Sequence, residues 1–225
     1  MAEQLHFDLP ARVAMGAEDY LVSEANRAAF EQVMSEAAWA DGRLALTGPE
    51  GSGKSHLARI WAARARAQVH AAGGLRPDTP LPAPGSRVVV EDVDRIASAA
   101  EEYLFHLHNH LSRTGGALLV TGRGAPARWP IRLPDLASRL QAMPVARIDD
   151  PDDDLLRAVL LKHFADRQLN ADPGLVDWLL RRMERSFAAA ADLVAELDSR
   201  SLAQGRVINR SLARAILDKS CGDDE

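Results

Sequence analysis

The sequence predicts an α/β fold in which a parallel β-sheet, flanked by helices, is followed by a small all-helical domain. Three observations support this prediction. A glycine-rich phosphate-binding pattern, Gly48–Ser55, stands between a short apolar segment and an amphipathic one. Two further apolar segments, 87–90 and 117–121, each end in polar residues, as buried parallel strands do. From Asp149 onward the pattern is that of helices alone.

The composition is that of an ordinary globular protein and excludes several classes. Of 225 residues, 47% are hydrophobic and 26% are charged, which allows one core or one core with a small appendage. No apolar run is long enough to span a bilayer, and the first residues show no signal-peptide pattern. A single cysteine, Cys221, excludes an internal disulfide and leads us to expect a cytoplasmic protein. The net charge of −5 argues against a general binder of duplex DNA.

The phosphate-binding loop is the strongest motif in the chain. It follows the apolar segment Arg43–Thr47, and it precedes a helical stripe formed by Leu57, Ile60, Trp61 and Ala65. In such a loop Lys54 reaches the terminal phosphates of a nucleotide and the Ser55 hydroxyl binds Mg²⁺. The alternative is a glycine-rich turn with a chance lysine, which is disfavoured because the chain has only three lysines. The predicted nucleotide contacts are Gly48, Pro49, Glu50, Gly51, Ser52, Gly53, Lys54, Ser55 and His56.

Acidic residues follow the apolar strand 87–90, as Glu91 and Asp92. In nucleotidases with this kind of loop, the same edge of the sheet carries the carboxylates that hold Mg²⁺ and orient water. We therefore predict a metal site made by Ser55, Glu91 and Asp92, the alternative being an ordinary polar loop. Thr121, at the end of the next strand, is predicted to bond the attacking water or the γ-phosphate, unless it is simply a strand end.

Three histidines occur in the helix predicted over residues 99–113. Only His106 and His110 share a helix face, and no H-E-x-x-H pattern accompanies them. We therefore predict core or surface positions for these side chains rather than a metal site.

Two stretches outside the predicted strands have simpler interpretations. The alanine-rich segment 24–39 is predicted to be one packed helix, and the stretch 73–85, rich in proline and glycine, is predicted to be a surface connection.

Near the start of the chain, Leu5, Phe7 and Leu9 alternate with polar residues. This pattern predicts either a short edge strand closed by Pro10 or an extended peptide that docks into a partner. Residue types alone favour the edge strand.

Four helix starts are predicted after residue 149. Aspartate followed by proline is typical of an N-cap and the first helical position, and serine and asparagine are also common caps. Four short helices after an α/β unit suggest a lid that clamps or releases a nucleotide. The predicted caps are Asp150, Asp172, Ser186 and Asn209.

With these motifs in this order, the chain resembles the AAA+ ATPases, and among them the DnaA/Hda family, most closely its shorter Hda members. The segment Glu101–Asn109 shares the F-H-x-x-N core of the helix after the acidic strand. Thr121–Arg123 corresponds to the first sensor, and Leu133–Leu140 to the segment that carries the arginine finger. The resemblance covers nearly the whole chain and implies a five-stranded parallel sheet of order 5-1-4-3-2.

The resemblance also implies site residues and domains. Val22–Arg27 is similar to the segment that packs near the adenine, which assigns Leu21 and Val22 to the nucleotide site. Arg139 matches the finger that is presented to a neighbouring subunit. The implied domains are an extended clamp-binding peptide at 1–12, an AAA+ nucleotide-binding domain at 13–149 and a helical lid at 150–225.

The ends of the chain distinguish members of the family. Gln4, Leu5, Phe7 and Leu9 are similar to the sliding-clamp-binding peptide of Hda, and this reverses the preference for an edge strand. The chain ends where the lid is expected to end, so we expect no DNA-binding domain after it. Alanine stands near Ala188, where the family has a second-sensor arginine, and Arg185 lies about one turn earlier. We therefore expect weak hydrolysis by the chain itself.

These features imply a regulator of replication initiation that binds ADP or ATP with Mg²⁺. The implied partners are the sliding clamp (the polymerase β subunit) and the initiator DnaA. DNA contact is expected mostly through the clamp, no membrane contact is expected, and a second copy of the chain is a candidate partner. The rival hypotheses are a helicase loader or DNA remodeller of the same superfamily, a small-molecule kinase with the same loop, and a degenerate ATPase that serves as a scaffold.

Overall fold

The computed structural model describes residues 20–170, 172–204 and 207–220. The predicted peptide at 1–12, with Gln4, Leu5, Phe7 and Leu9, and the single cysteine, Cys221, lie outside the described residues.

A parallel five-stranded sheet forms the centre of the first of two compact units, which spans the described residues up to Pro49 and Gly53–Asp149. The strand order is β2-β3-β4-β1-β5, which is the predicted order 5-1-4-3-2 read from the other edge, so that prediction is confirmed. All four strand pairings are parallel. The strands are β1 Arg43–Thr47, β2 Gln68–Ala71, β3 Arg87–Glu91, β4 Ala117–Gly122 and β5 Val145–Arg147.

The three inner strands are buried on both faces, which explains their continuous apolar sequences. In β3, Val89 faces one hydrophobic cluster while Val88 and Val90 face the other. In β1, Leu44 belongs to the same cluster as Val89, and Ala45 belongs to the cluster of Val88 and Val90. Because successive side chains of a strand point to opposite faces, each inner strand contributes to two cores.

Helices cover both faces of the sheet. The cluster that contains Leu44 and Val89 also holds Ala29 and Val33 of α1 and the apolar stripe of α2. The opposite cluster holds the buried stripes of α3 and α4. The helices are α1 Glu24–Met34, α2 Lys54–Ala65, α3 Ser98–Thr114 and α4 Pro134–Gln141.

The predicted helix over residues 24–39 was too long. The helix α1 ends at Met34, where Ser35 leaves the helical conformation, and a short 3₁₀ turn, Glu36–Ala38, follows. The Trp39 indole explains the change of direction, because its N–H donates to the Gln32 carbonyl at 2.8 Å and its ring packs on Trp61.

The second unit contains residues 150–225, of which the described residues form four helices, together with Glu50–Ser52 of the loop. Its core is a separate hydrophobic cluster that includes Leu156, Leu160, Phe164, Leu179 and Val194. The helices are α5 Asp153–Asp166, α6 Pro173–Leu180, α7 Phe187–Gln204 and α8 Arg210–Ser220.

Three of the four predicted helix caps in this unit are confirmed. The Asp172 carboxylate accepts from the Gly174 N–H, the Ser186 hydroxyl from the Ala189 N–H, and the Asn209 side-chain oxygen from the Leu212 N–H. The Asp150 cap was wrong, because the cap is Asp152, whose Oδ1 accepts from the Leu155 N–H at 2.7 Å. Within residues 20–170, 172–204 and 207–220, no helix is long and apolar enough to cross a membrane.

Candidate functional site

The phosphate-binding loop joins β1 to α2, as the motif predicts. Gly51 and Gly53 have φ values of 77° and 84°, in the left-handed region that side chains with a Cβ adopt only at a cost. A Cβ at Gly53 would also lie 3.3 Å from the Tyr20 ring. Both positions therefore favour glycine because of their backbone conformation, and at Gly53 a Cβ would also crowd the Tyr20 ring.

Lys54 lies at the start of α2 and is only 7% exposed. Its ammonium donates to the carbonyl oxygens of Gly48 at 3.0 Å and of Pro49 at 2.6 Å. The charge is thus held inside the curve of the loop, next to the first N–H groups of the helix, which have no intrahelical acceptors. This concentration of donors and positive potential suits a phosphate group.

Two serines complete this part of the loop. The Ser52 hydroxyl is buried and has no hydrogen-bond partner among the described residues. Because buried polar atoms are nearly always paired, such a hydroxyl suits a ligand that supplies the partner. Ser55 lies half-buried in the first turn of α2, one residue after Lys54.

The predicted acidic pair lies at the carboxyl end of β3, but its two members differ. The Glu91 carboxylate is buried, with Oε2 3.2 Å from Nη2 of Arg59 and Oε1 without a partner among the described residues. Asp92 is exposed, and its backbone adopts a left-handed conformation with φ of 59°. Its N–H donates to the Thr121 hydroxyl oxygen at 3.0 Å.

Thr121 is fully buried at the end of β4. Its hydroxyl oxygen accepts a hydrogen bond from the backbone N–H of Asp92. The hydrogen bond ties the tip of β3 to the tip of β4 and holds Asp92 in an otherwise unfavourable conformation. Thr121 therefore orients an acidic residue of the candidate site.

The residues at this edge fit a Mg²⁺ ion that is shared with a nucleotide. Mg²⁺ is bound by one or two carboxylates and by phosphate oxygens rather than by a full protein cage. In the described part of the chain, no three His, Cys, Asp or Glu side chains form a metal-binding group. The partnerless Oε1 of Glu91 and the hydroxyl of Ser55 are oxygen ligands of the right kind.

An aromatic residue that the sequence did not single out lies beside the loop. The Tyr20 ring contacts His56 edge-on, with centroids 5.3 Å apart, and stacks on Phe30 at 6.0 Å. Its hydroxyl is buried without a partner among the described residues, and burial raises its pKa well above the ordinary value. Tyr20 thus brings the segment with half-buried Leu21 and buried Val22 next to the loop.

Arg139 is exposed in the last turn of α4. Within residues 20–170, 172–204 and 207–220, its guanidinium forms no hydrogen bond or ion pair. The start of α4 is fixed by buried Glu101, whose Oε2 accepts from the N–H groups of Arg132 at 3.0 Å and of Leu133 at 2.7 Å. A firmly held helix therefore presents a free arginine to solvent.

Arg139 and buried His108 lie toward the end of the sheet opposite the phosphate-binding loop. Burial, Arg43 and Arg139 together lower the pKa of His108 to about 4. Arg43 is the first residue of β1 and donates to the His108 carbonyl at 3.2 Å. The helix α4 ends at Gln141, shortly before β5 begins at Val145 beside Ala45 of β1. The end of α4, with Arg139, therefore lies toward the amino end of β1, whereas the phosphate-binding loop follows its carboxyl end, roughly 13 Å further along the strand.

Two other arginines that the motifs singled out are paired. Arg123, two residues after Thr121, forms an ion pair with Asp94 at 3.0 Å. Arg185 forms an ion pair with Asp153 at 3.1 Å within the helical unit. Ala188, at the place expected for a second-sensor arginine, is exposed and offers no charge.

Solved structures similar to this chain belong to the AAA+ P-loop ATPases, whereas no protein-family model matches the sequence. Domain III of the Thermotoga maritima replication initiation protein DnaA superimposes with a TM-score of 0.68 at 16% identity, covering 96% of this chain and 98% of that one. AMPPCP-bound DnaA from Aquifex aeolicus superimposes with a TM-score of 0.58 at 16% identity, covering 80% of this chain and 63% of that one. The Thermotoga maritima RuvB Holliday junction branch migration motor superimposes with a TM-score of 0.58 at 16% identity, covering 84% of this chain and 65% of that one. The chain therefore has the AAA+ fold, and it spans a little under two thirds of the last two chains.

Proposed function

We propose that this protein is a nucleotide-binding regulator that stimulates ATP hydrolysis by the replication initiator DnaA while it is held on the DNA-loaded sliding clamp. The observation that carries the proposal is the exposed guanidinium of Arg139, which has no partner among the described residues. The likeness to the fold of DnaA domain III supports a docking mode in which the two proteins associate as AAA+ neighbours.

Arg139 supplies the catalytic group in this proposal. A guanidinium stays charged at all physiological pH values and offers five N–H donors in a fixed plane, so it stabilises the charge that develops on a transferring phosphoryl group. An arginine finger supplied in trans is worth about 10³–10⁵ in rate. Because Arg139 lies toward the amino end of β1, away from this chain's own loop, it serves a neighbour's nucleotide.

The loop of this chain holds a nucleotide as a structural ligand. Lys54 and the first N–H groups of α2 bind the phosphates, Ser55 and Glu91 would hold Mg²⁺, and Asp92 orients water. Mg²⁺, when bound, neutralises phosphate charge. Slow self-hydrolysis is part of the proposal, because Ala188 offers no charge and Arg185 is already paired with Asp153.

The clamp is the proposed docking platform. Gln4, Leu5, Phe7 and Leu9 form the peptide that would bind it, through extended backbone and alternate apolar side chains. The working division of the chain is a clamp-binding peptide at 1–12, a nucleotide-binding domain at 13–149 and a lid at 150–225. DNA is reached through the clamp, and a second copy of the chain is a further partner to be tested.

Reconstitution tests the function. We expect DnaA to hydrolyse ATP faster when this protein, the clamp, DNA and ADP are all present, and to return to its basal rate when this protein or the clamp is left out. Alanine at Gln4, Leu5 and Phe7 should abolish capture by immobilised clamp without changing nucleotide binding. DnaA hydrolysis that is the same with and without this protein would refute the proposal, and unchanged capture would refute the clamp step.

A further inference from the structure

The carboxylate at the tip of β3 faces a cation that belongs to this chain. Nη2 of Arg59 lies 3.2 Å from Oε2 of Glu91. The Glu91 side chain is 8% exposed and that of Arg59 is 66% exposed, so the pair joins a buried acid to a base that reaches it from the surface. A buried carboxylate needs such compensation, because burial without a positive partner is costly.

Arg59 lies on the face of α2 that also carries Ser55. The two residues are four positions apart, and residues at this spacing are neighbours on a helix surface. The guanidinium that holds Glu91 therefore lies one helical turn from the hydroxyl proposed to bind Mg²⁺. The other oxygen of Glu91, Oε1, is buried and without a partner in the described part of the chain.

The electrostatic consequence concerns the nucleotide's metal ion. A guanidinium on Oε2 of Glu91 supplies part of the positive charge that Mg²⁺ would otherwise bring, while Oε1 has no partner in the described part of the chain. Removing the guanidinium leaves Glu91 as an uncompensated negative charge close to the phosphate site, which repels a nucleotide unless Mg²⁺ is present.

We propose that Arg59 is a positioning residue that holds Glu91 on its guanidinium and makes retention of a nucleoside di- or triphosphate in the loop nearly independent of Mg²⁺. The inference rests on the nucleotide binding proposed above for residues 48–55. It does not depend on activation of DnaA or on clamp binding.

The test is equilibrium binding of a fluorescent ADP analogue to the full chain, in excess MgCl₂ and in excess EDTA. For the wild type we expect the two dissociation constants to agree within about threefold, a difference below about 0.7 kcal/mol. For Arg59→Leu we expect EDTA to weaken binding by about tenfold relative to MgCl₂, which corresponds to about 1.4 kcal/mol. Arg64→Leu, an exposed arginine on the same helix, is the matched control and should behave as the wild type.

Two further variants separate positioning from a general loss of charge. Arg59→Lys should restore most of the wild-type behaviour, because it keeps the cation. In a Glu91→Gln background, Arg59→Leu should no longer change the response to EDTA, since the carboxylate through which it acts is absent.

Several outcomes would overturn the inference. Equal weakening of binding by Arg59→Leu in both buffers would make Arg59 an ordinary phosphate contact. A wild type that already needs Mg²⁺ for tight binding would also contradict it. If the wild type binds no nucleotide in either buffer, the proposed nucleotide site fails as well. If the wild type binds nucleotide and Lys54→Ala does not, the nucleotide site is supported. An unexpected result with Arg59→Leu then contradicts only the role proposed for Arg59.

Discussion

The phosphate-binding loop and the end of α4 treat their positive charges in opposite ways. Lys54 is buried, and its ammonium is turned inward to the carbonyls of Gly48 and Pro49. Arg139 is exposed, and within residues 20–170, 172–204 and 207–220 its guanidinium forms no hydrogen bond or ion pair. A cation held inside a loop suits a ligand that enters the molecule, whereas a cation displayed on a rigid helix suits a target on another molecule.

The buried acidic residues near the loop and near α4, Glu91 and Glu101, also differ in what they bind. Glu91 is buried beside the loop and carries an ion pair with Arg59. Glu101 is buried below α4 and binds backbone N–H groups rather than the arginine of that helix. The acid near the loop is therefore held by an arginine of α2, and the acid near α4 holds the start of that helix without pairing with Arg139.

The largest expected effect is at the exposed arginine. We expect Arg139→Ala to lower the stimulated rate of DnaA hydrolysis by about 10³-fold or more, because a finger in trans contributes about 10³–10⁵. Nucleotide binding by the variant should be unchanged, since Arg139 lies away from the loop. Arg132→Ala, an exposed arginine just before the same helix, is the control and should retain stimulation. Full stimulation by Arg139→Ala would remove the basis of the proposed function.

The matching change in the loop is Lys54→Ala. We expect nucleotide affinity to fall by about 100-fold, since losing one partner of a buried, charged hydrogen-bonded pair costs about 2–5 kcal/mol. Isothermal titration with ADP measures the loss. Lys162→Ala, in α5 of the helical unit and exposed, should bind as the wild type. Equal affinity in Lys54→Ala and Lys162→Ala would mean that the loop does not hold the phosphates.

The lowered pKa of buried His108 leads us to expect that the stability of the protein depends on pH. The pKa of His108 is lowered from 6.5 to about 4, chiefly by burial and then by the two arginines, with Asp41 and Asn109 acting in the opposite sense. Unfolding therefore takes up a proton between these two values, and stability should fall as the pH drops from 6.5 towards 4 and then level off. Each pKa unit is worth about 1.4 kcal/mol, so the loss should reach up to about 3 kcal/mol.

Urea unfolding of the full chain between pH 7 and pH 4 measures this dependence. His108→Gln should remove most of the slope above pH 4, whereas His106→Gln, an exposed histidine on the same helix, should keep it. The same slope in both variants would assign the pH dependence to other groups.

The smallest effect concerns the support of α4. Glu101→Gln keeps an oxygen acceptor for the N–H groups of Arg132 and Leu133 but loses the charge, so we expect a loss of about 1 kcal/mol in stability. Stimulation of DnaA should fall more than nucleotide affinity, because the helix that carries Arg139 is loosened while the loop is untouched. Glu102→Gln, the exposed neighbour, is the control. A nucleotide affinity that falls as much as stimulation does would show a general loss of folding.

Some elements could not be placed from the sequence because they depend on long-range contacts. The edge strand β2 was not recognised among the residue patterns, since Gln68, Val69 and Ala71 are exposed and carry no alternation. Its existence depends on pairing with β3. The end of α1 depends on Trp39, which packs on Trp61 of α2. The choice of Asp152 over Asp150 as a cap depends on which carboxylate meets an N–H, which a run of aspartates does not reveal.

The residue patterns were enough to predict the phosphate-binding loop, the inner strands and most helix caps, and the family resemblance predicted the order of the sheet. These features are local, because glycine conformation, apolar runs and capping side chains act within a few residues. The pairing of the charged side chains became apparent only from the folded arrangement. The fold pairs Glu91 with Arg59, joins Thr121 to the backbone of Asp92, and leaves Arg139 exposed on a helix whose start is held by Glu101. Those arrangements join residues that are far apart in the chain, and only the packing of the sheet and its helices brings them together.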